Sequence, residues 1–248
     1  MCALAGAISS SGETKPVSRF VFYLGFSLSI LSLLCFGDIG EDMTDDGWAD
    51  LERTFSDPIR ALRSPVLNRV MRSLTWLGSF WCLAALVLVV LLWPGSRFGV
   101  RDKSVFLGLG ISEGLLNGGL KAWFGRPRPG EDYAPMVEEK YFSFPSGHSM
   151  GSLCVYGFLA YLLCRRYPRW RWPVRMATML LIATVGLSRI YLAAHYPGDV
   201  VGGFAAGIPC LFLAMVVHQG LILTGKGQSD VEADVSAGEG SDEHEGNG

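Results

Sequence analysis

The chain has 248 residues, 50% of them hydrophobic and 18% charged, with a formal charge of -2. Ordinary soluble domains are about a quarter charged, so this composition argues against a soluble enzyme and for a bilayer as solvent, and no nucleic-acid partner is expected. The apolar residues gather in runs close to the roughly 17 to 25 that a spanning helix needs.

In chain order, a polar segment over residues 1–19 leads into the first spanning run, Phe20 to Phe36. Leu33 and Leu34 stand where a cleavable signal would carry small residues, so this run is read as a retained helix. Asp38 to Asp57 is acidic, and from Trp48 the apolar residues Leu51, Phe55, Ile59 and Leu62 fall at near-helical spacing. That stretch reads either as a helix lying along the interface or as a connector broken by Pro58 and Pro65.

Leu74 to Trp93 forms the second span and Val105 to about Trp123 the third. The third carries Gly110, Gly114 and Gly118 at four-residue spacing, a pattern that predicts close approach of a neighbouring helix. Glu113, Asn117 and Lys121, also four apart, share another face. Because charge in hydrocarbon is costly, that face should line an interior or watery cavity.

A polar loop from Phe124 to Pro145 precedes the fourth span, Ser146 to Cys164; the fifth runs from Met176 to Leu192 and the sixth from Asp199 to about Leu223. Gly203 and Gly207 repeat the close-packing spacing in the sixth. The pattern therefore predicts an all-α integral membrane bundle of six transmembrane helices over residues 20–224, with a cytoplasmic segment before it. The tail over 225–248 holds seven acids against Lys226 and is rich in Gly and Ser, a composition expected to be disordered.

Arg165, Arg166, Arg169, Arg171 and Arg175 cluster between the fourth and fifth spans, which marks that loop as cytoplasmic. The loops after the first, third and fifth spans then face the periplasm or the outside of a cell inner membrane, although Arg53, Arg60, Arg63, Arg69 and Arg72 in the first of them oppose the rule. The six cysteines, Cys2, Cys35, Cys82, Cys154, Cys164 and Cys210, have no paired or metal-like spacing and read as small apolar residues.

Three clusters fall on one side of this topology: K-A-W-F-G-R-P-R-P from Lys121 to Pro129, P-S-G-H from Pro145 to His148, and S-R-I-Y-L-A-A-H-Y-P-G-D from Ser188 to Asp199. Together they supply cations, a helix start able to hold an anion, and two histidines, which is equipment for handling phosphate. His218 and His244 read as structural residues, and Arg126 as a rim or headgroup contact.

With these motifs the sequence resembles the type 2 phosphatidic acid phosphatase superfamily, whose pattern K-x6-R-P, P-S-G-H and S-R-x5-H-x3-D is matched at Lys121, Arg128-Pro129, Pro145 to His148, Ser188-Arg189, His195 and Asp199. The resemblance implies a six-helix lipid phosphatase with no cofactor and no metal, in which His195 is the nucleophile of a phosphohistidine intermediate and His148 the general acid. Asp199 would orient the His195 ring and could cap the sixth helix. Lys121, Arg128 and Arg189 would neutralise phosphoryl oxygens, with the backbone N–H groups of Ser146 and Gly147 adding an anion nest.

The expected partners are the bilayer and a lipid phosphate, ordered as undecaprenyl diphosphate, then phosphatidylglycerophosphate or phosphatidate. Two other classes stay open: a phosphotransferase on the same site, or a membrane protein that binds anionic lipid or phosphate without turnover. A haloperoxidase with vanadate in the cradle ranks last, since soluble members of that branch lack this density of spans.

Overall fold

The computed structural model describes the backbone of residues 19–42, 46–94 and 97–242 and the side chains of 22–42, 48–94 and 97–224; almost all of the expected N-terminal segment, and Cys2 with it, lies outside. Apart from two short 3-10 turns the described elements are α-helices: α1 (Arg19–Asp42), α2 (Asp46–Ala61), α3 (Pro65–Trp76), α4 (Phe80–Leu92), α5 (Val100–Phe124), α6 (Gly147–Arg166), α7 (Arg171–Tyr191) and α8 (Pro197–Asp242).

α6 is the hub and touches α4, α5, α7 and α8. Phe106 and Leu109 of α5, Leu153, Phe158 and Tyr161 of α6, and Leu211 and Met215 of α8 are all nearly inaccessible, and they make the core. The outside is apolar as well: Leu31 and Leu34 of α1, Trp81 and Leu92 of α4, Leu115 and Trp123 of α5 and Leu180 of α7 are exposed. A hydrophobic exterior over a packed interior is what a bilayer environment selects.

The six-span expectation holds approximately. α1, α6, α7 and α8 are each long and apolar enough to cross a membrane, and α3 with α4 passes the same test as a pair bent by 47°. The expected second span is thus two helices. Its first three residues belong to α3, and α4 alone, at 13 residues, is about 20 Å long against a hydrocarbon thickness of about 30 Å. Ser79 caps α4 by accepting from Cys82 N–H. At the corner, a Cβ on Gly78 would lie 2.4 Å from Val185 Cγ1 and 3.1 Å from His148 Cδ2, so a side chain there would push the corner off α7 and the His148 ring. α5, 25 residues long, completes the bundle and carries Arg101, Asp102, Lys103, Glu113 and Lys121.

The face argument for α5 holds, because Glu113 and Asn117 are buried. Its glycine argument does not: nothing lies within 4 Å of a Cβ at Gly114 or Gly118, and Gly110 meets only Val87 at 3.7 Å. The polar face is the one turned to α6, which leaves those glycines elsewhere. In α8 the close packing is real, since a Cβ at Gly203 would stand 2.6 Å from the Ser146 carbonyl oxygen. α8 also runs on as backbone helix through Asp242, past Leu223 and into the segment read as an acidic disordered tail. Extending an existing helix costs far less than nucleating one.

The stretch from Trp48 to Ala61 of the first loop is helical. α2 buries Glu52 and Ser56 and exposes Leu51 and Phe55, with Pro58 accommodated inside the helix.

Candidate active site

The C-terminal ends of α5 and α7 and the N-terminal ends of α6 and α8 meet at one end of the bundle, so the three sequence clusters become one site. The α7–α8 turn positions His195: Ala193 takes a positive φ of 51°, and the N–H groups of Ala194 and His195 return to the Arg189 carbonyl at 3.0 and 3.3 Å. His195 Nδ1 lies 3.2 Å from Asp199 Oδ2. Its Nε2 faces Arg128 Nη1 at 3.2 Å.

Those two contacts settle the tautomer. A guanidinium has donors only, so Nε2 presents its lone pair toward Arg128, and the ring proton sits on Nδ1 toward the carboxylate. Burial lowers the His195 pKa to about 4, against the opposing pull of Asp199, so the ring is neutral near pH 7. The result is an unprotonated nitrogen directed at a cationic surface.

Asp199 is fully buried and amply satisfied. It accepts from Tyr196 N–H at 2.9 Å, from the Ser143 hydroxyl and from Arg126 Nη1 at 2.6 Å. The other fork of Arg126 donates to Glu52 Oε2 of α2 at 2.7 Å. Burial alone would lower the Arg126 pKa, but Asp199 and Glu52 more than offset it. Arg126 is therefore no rim residue; it holds the far side of the carboxylate that holds His195.

His148, in the first turn of α6, makes no hydrogen bond among the described residues and sits within electrostatic reach of Arg189, Glu139, His195 and Arg128. Ser146 is placed differently from the expected anion nest. Its N–H donates to the Asp199 carbonyl at 2.9 Å, and its hydroxyl caps α6 by accepting from Ser149 N–H. Of the two expected nest donors, only Gly147 N–H is left without a protein acceptor among the described residues. A Cβ on Gly147 would lie 2.9 Å from Asn117 Oδ1, which explains the glycine there.

The cations line the same space. Arg128 donates through Nε to the Tyr141 carbonyl at 2.5 Å and through Nη1 to that of Ala194 at 2.8 Å. Lys121 Nζ donates to the carbonyls of Phe142 at 2.5 Å and Ser143 at 3.1 Å. Arg189, almost wholly buried, donates to Thr75 Oγ1 of α3 at 2.7 Å and to Glu139. Sequence reasoning passed over Glu139, Ser143, Glu52 and Thr75, none of which lies in an ionisable motif or at telling spacing. Arg126 carried a signal, one fork of charge two residues from Arg128, and was assigned the wrong surroundings.

A cleft of about 510 Å³ opens nearby, lined by Glu52, Arg53, Arg126, Tyr133 and Tyr196. It lies beside the ion pair and is not lined by His148, His195 or Arg189. Among the described residues no group of three His, Cys, Asp or Glu is arranged to hold a metal.

A helical membrane bundle that gathers a neutral His on an Asp, a second His and three cations at one end defines a class: a membrane protein built to handle phosphate esters. Comparison with known proteins takes this further. Residues 103–222 match the model of the PAP2 superfamily. Over 204 residues the chain is 35% identical to phosphatidylglycerophosphatase B of Bacillus subtilis, covering 80% of this chain and 92% of that protein. A lipid A 4'-phosphatase of Bacteroides thetaiotaomicron is 28% identical over 137 residues, 51% of this chain and 57% of that one. The crystal structure of a transmembrane PAP2 type phosphatidylglycerolphosphate phosphatase from Bacillus subtilis superposes with a TM-score of 0.69 at 32% identity, covering 75% of this chain and 93% of that one. The chain belongs to the PAP2 superfamily. It is an integral membrane phosphatase, a phosphoric ester hydrolase acting on lipids.

Proposed function

We propose that the enzyme removes phosphate from a membrane lipid phosphomonoester or diphosphate through a phosphohistidine on His195, without a metal. The observation that carries this reading is the His195 ring, held by Asp199 on Nδ1 while Nε2 faces the Arg128 fork. A phosphoryl group seated among Arg128, Arg189, Lys121 and the Gly147 N–H puts its phosphorus before that nitrogen. Nε2 attacks, the P–N bond forms, and Asp199 stabilises the imidazolium charge that develops. His148 gives its proton to the departing lipid oxygen, so the P–O bond breaks to an alcohol from a monoester or to the lipid monophosphate from a diphosphate. The now neutral His148 then takes a proton from water, whose oxygen attacks phosphorus and releases inorganic phosphate and free His195. The cations neutralise charge spread over the equatorial oxygens in both steps.

Phosphatidylglycerophosphate is the first candidate substrate. The sequence alone ranked undecaprenyl diphosphate ahead of it, but the relative matched over 92% of its length is named for phosphatidylglycerophosphate; undecaprenyl diphosphate and phosphatidate follow. The site end faces the periplasm or outside of the inner membrane. Five arginines from Arg165 to Arg175 stand at the opposite end, and three of the five arginines that oppose this orientation are engaged at the site end: Arg53 with Asp132 at 2.9 Å, Arg63 with the carbonyl of Tyr191 at 2.9 Å, and Arg72 with that of Met136 at 3.1 Å.

The test is phosphate release by purified protein from these three lipids in excess chelator, with His148→Ala and His195→Ala alongside. Release by wild type alone, with acid-labile phosphate trapped on the protein, is expected. Equal lipid binding by all three proteins with no release from any would replace this reading with a binding protein. For orientation, a single cysteine replacing Glu131 should react with an impermeant thiol reagent, and one replacing Arg169 should not.

A further inference from the structure

Two of the three cations assigned to phosphate already share a carboxylate. Glu139 stands in the long loop between α5 and α6, outside every motif, and its two oxygens contact different arginines. Oε1 accepts from Arg189 Nη2 and Oε2 lies 3.3 Å from Arg128 Nη2. A carboxylate laid across two guanidinium forks occupies the positions in which those forks would grip phosphoryl oxygens.

The fit is incomplete in a way that suits a larger anion. Arg189 Nε is buried with no acceptor among the described residues, an uncommon state for a buried N–H. A carboxylate offers two oxygens, whereas a transferring phosphoryl group offers three equatorial ones.

The loop is also built to let the carboxylate go. It is tied by Met136 N–H to the Leu192 carbonyl at 2.9 Å and by Ser143 N–H to the Arg126 carbonyl at 2.8 Å, with the Tyr141 and Phe142 carbonyls held by Arg128 and Lys121; between these ties residues 137–140, which include Glu139, make no backbone-to-backbone hydrogen bond among the described residues. The arginines are the fixed side, because Arg128 is held by the Ala194 carbonyl outside the loop and Arg189 by Thr75. Burial alone would raise the Glu139 pKa, but Arg189 and Arg128 hold it below the usual carboxylate range, so it is charged at neutral pH.

We propose that Glu139 is an internal stand-in for the substrate phosphoryl group: it bridges Arg128 and Arg189 in the empty site and is displaced each time a phosphate enters. This rests on the cradle assigned under Proposed function. The exchange keeps the buried Arg189 from standing without a counter-charge at any stage of turnover. It also weakens phosphate binding by the fraction of time the latch is shut, and on its return it expels the inorganic phosphate left after hydrolysis.

The experiment measures inorganic phosphate as a competitive inhibitor of lipid hydrolysis, and by calorimetry on His195→Ala, where nothing turns over. Glu139→Gln should tighten phosphate binding by about tenfold, as expected for a latch shut about nine-tenths of the time, and kcat should fall where release limits turnover. Glu138→Gln, an exposed neighbour, should change neither. If Glu139→Gln does not fold, Glu139→Asp keeps the charge but shortens the reach, and should tighten phosphate binding by a smaller factor. Unchanged or weaker binding in a folded variant would make Glu139 a fixed anchor and overturn the proposal. Phosphate binding that is lost in Arg128→Ala yet indifferent to Glu139 would leave the catalytic reading standing and sink the latch alone. No phosphate binding even by wild type would sink both.

Discussion

Among the described residues the bundle contains two buried histidines, each on an aspartate, at opposite ends. At one end His195 meets Asp199 at 3.2 Å. At the other His218 Nε2 meets Asp102 at 2.6 Å, while its Nδ1 is taken by the Tyr161 hydroxyl at 3.1 Å, which also accepts from Gln219 at 3.0 Å. Both rings are almost inaccessible, so burial and the acid partner do not tell them apart. What differs is the second nitrogen. On His218 it is consumed by a tyrosine in an aromatic pocket with Phe158; on His195 it faces the Arg128 guanidinium. A His–Asp pair is thus a structural unit that becomes chemical only where a lone pair is left over beside positive charge.

The comparison can be broken at several points. Replacing His195 by alanine should lower kcat by at least about 10⁴-fold, the scale seen when a nucleophile is removed from a concerted site, whereas His218→Ala should leave activity per folded molecule within about twofold, as distant independent sites do. Asp199→Asn should cost about 10³ to 10⁴ in kcat with little change in KM, because it loses the tautomer and the counter-charge together. Comparable losses at His218 or Asp102 would show the two pairs to be equivalent.

Arg126→Lys should reduce kcat by about ten- to a hundredfold, since an ammonium cannot serve Asp199 and Glu52 as two parallel forks. Arg126→Ala should in addition destabilise the protein by about 3–5 kcal/mol by leaving two buried carboxylates uncompensated; both are read by steady-state kinetics beside thermal unfolding. His218→Ala should cost about 1–3 kcal/mol through the partners left unmade at Asp102 and Tyr161.

The smallest expected effect is on pH. His195 must be neutral to attack, and its pKa is lowered to about 4, so the acid limb of kcat/KM that belongs to it should fall only as pH drops through about 4. Asp199 opposes that lowering, so Asp199→Asn should move this limb further down. A limb assigned to His195 near the ordinary histidine value would contradict the burial argument.

Much of this molecule is legible in one dimension. Hydropathy located the helix that became α1 and those that became α5 to α8, to within a few residues at most ends, because a bilayer imposes length and composition on each span independently of its neighbours. The motif residues Lys121, Arg128, His148, Arg189, His195 and Asp199 were visible for a similar reason: ionisable groups stand out against an apolar background. Gly114 and Gly118 misled, since small-residue spacing says that a helix can be approached and not from which side.

The sequence by itself determined the class of fold and the family pattern and singled out the candidate residues for phosphate, because these depend on local composition and fixed spacing. Only the tertiary structure decided which charges meet. The break at Gly78 follows from the proximity of α7 and His148, the use of the Ser146 N–H from α8, and the place of Arg126 from Glu52, 74 residues away. Glu139 closes on Arg189 across 50 residues. Such pairings join loops whose contacts are set by how the helices pack, and no periodicity within one segment encodes the partner it will find in another.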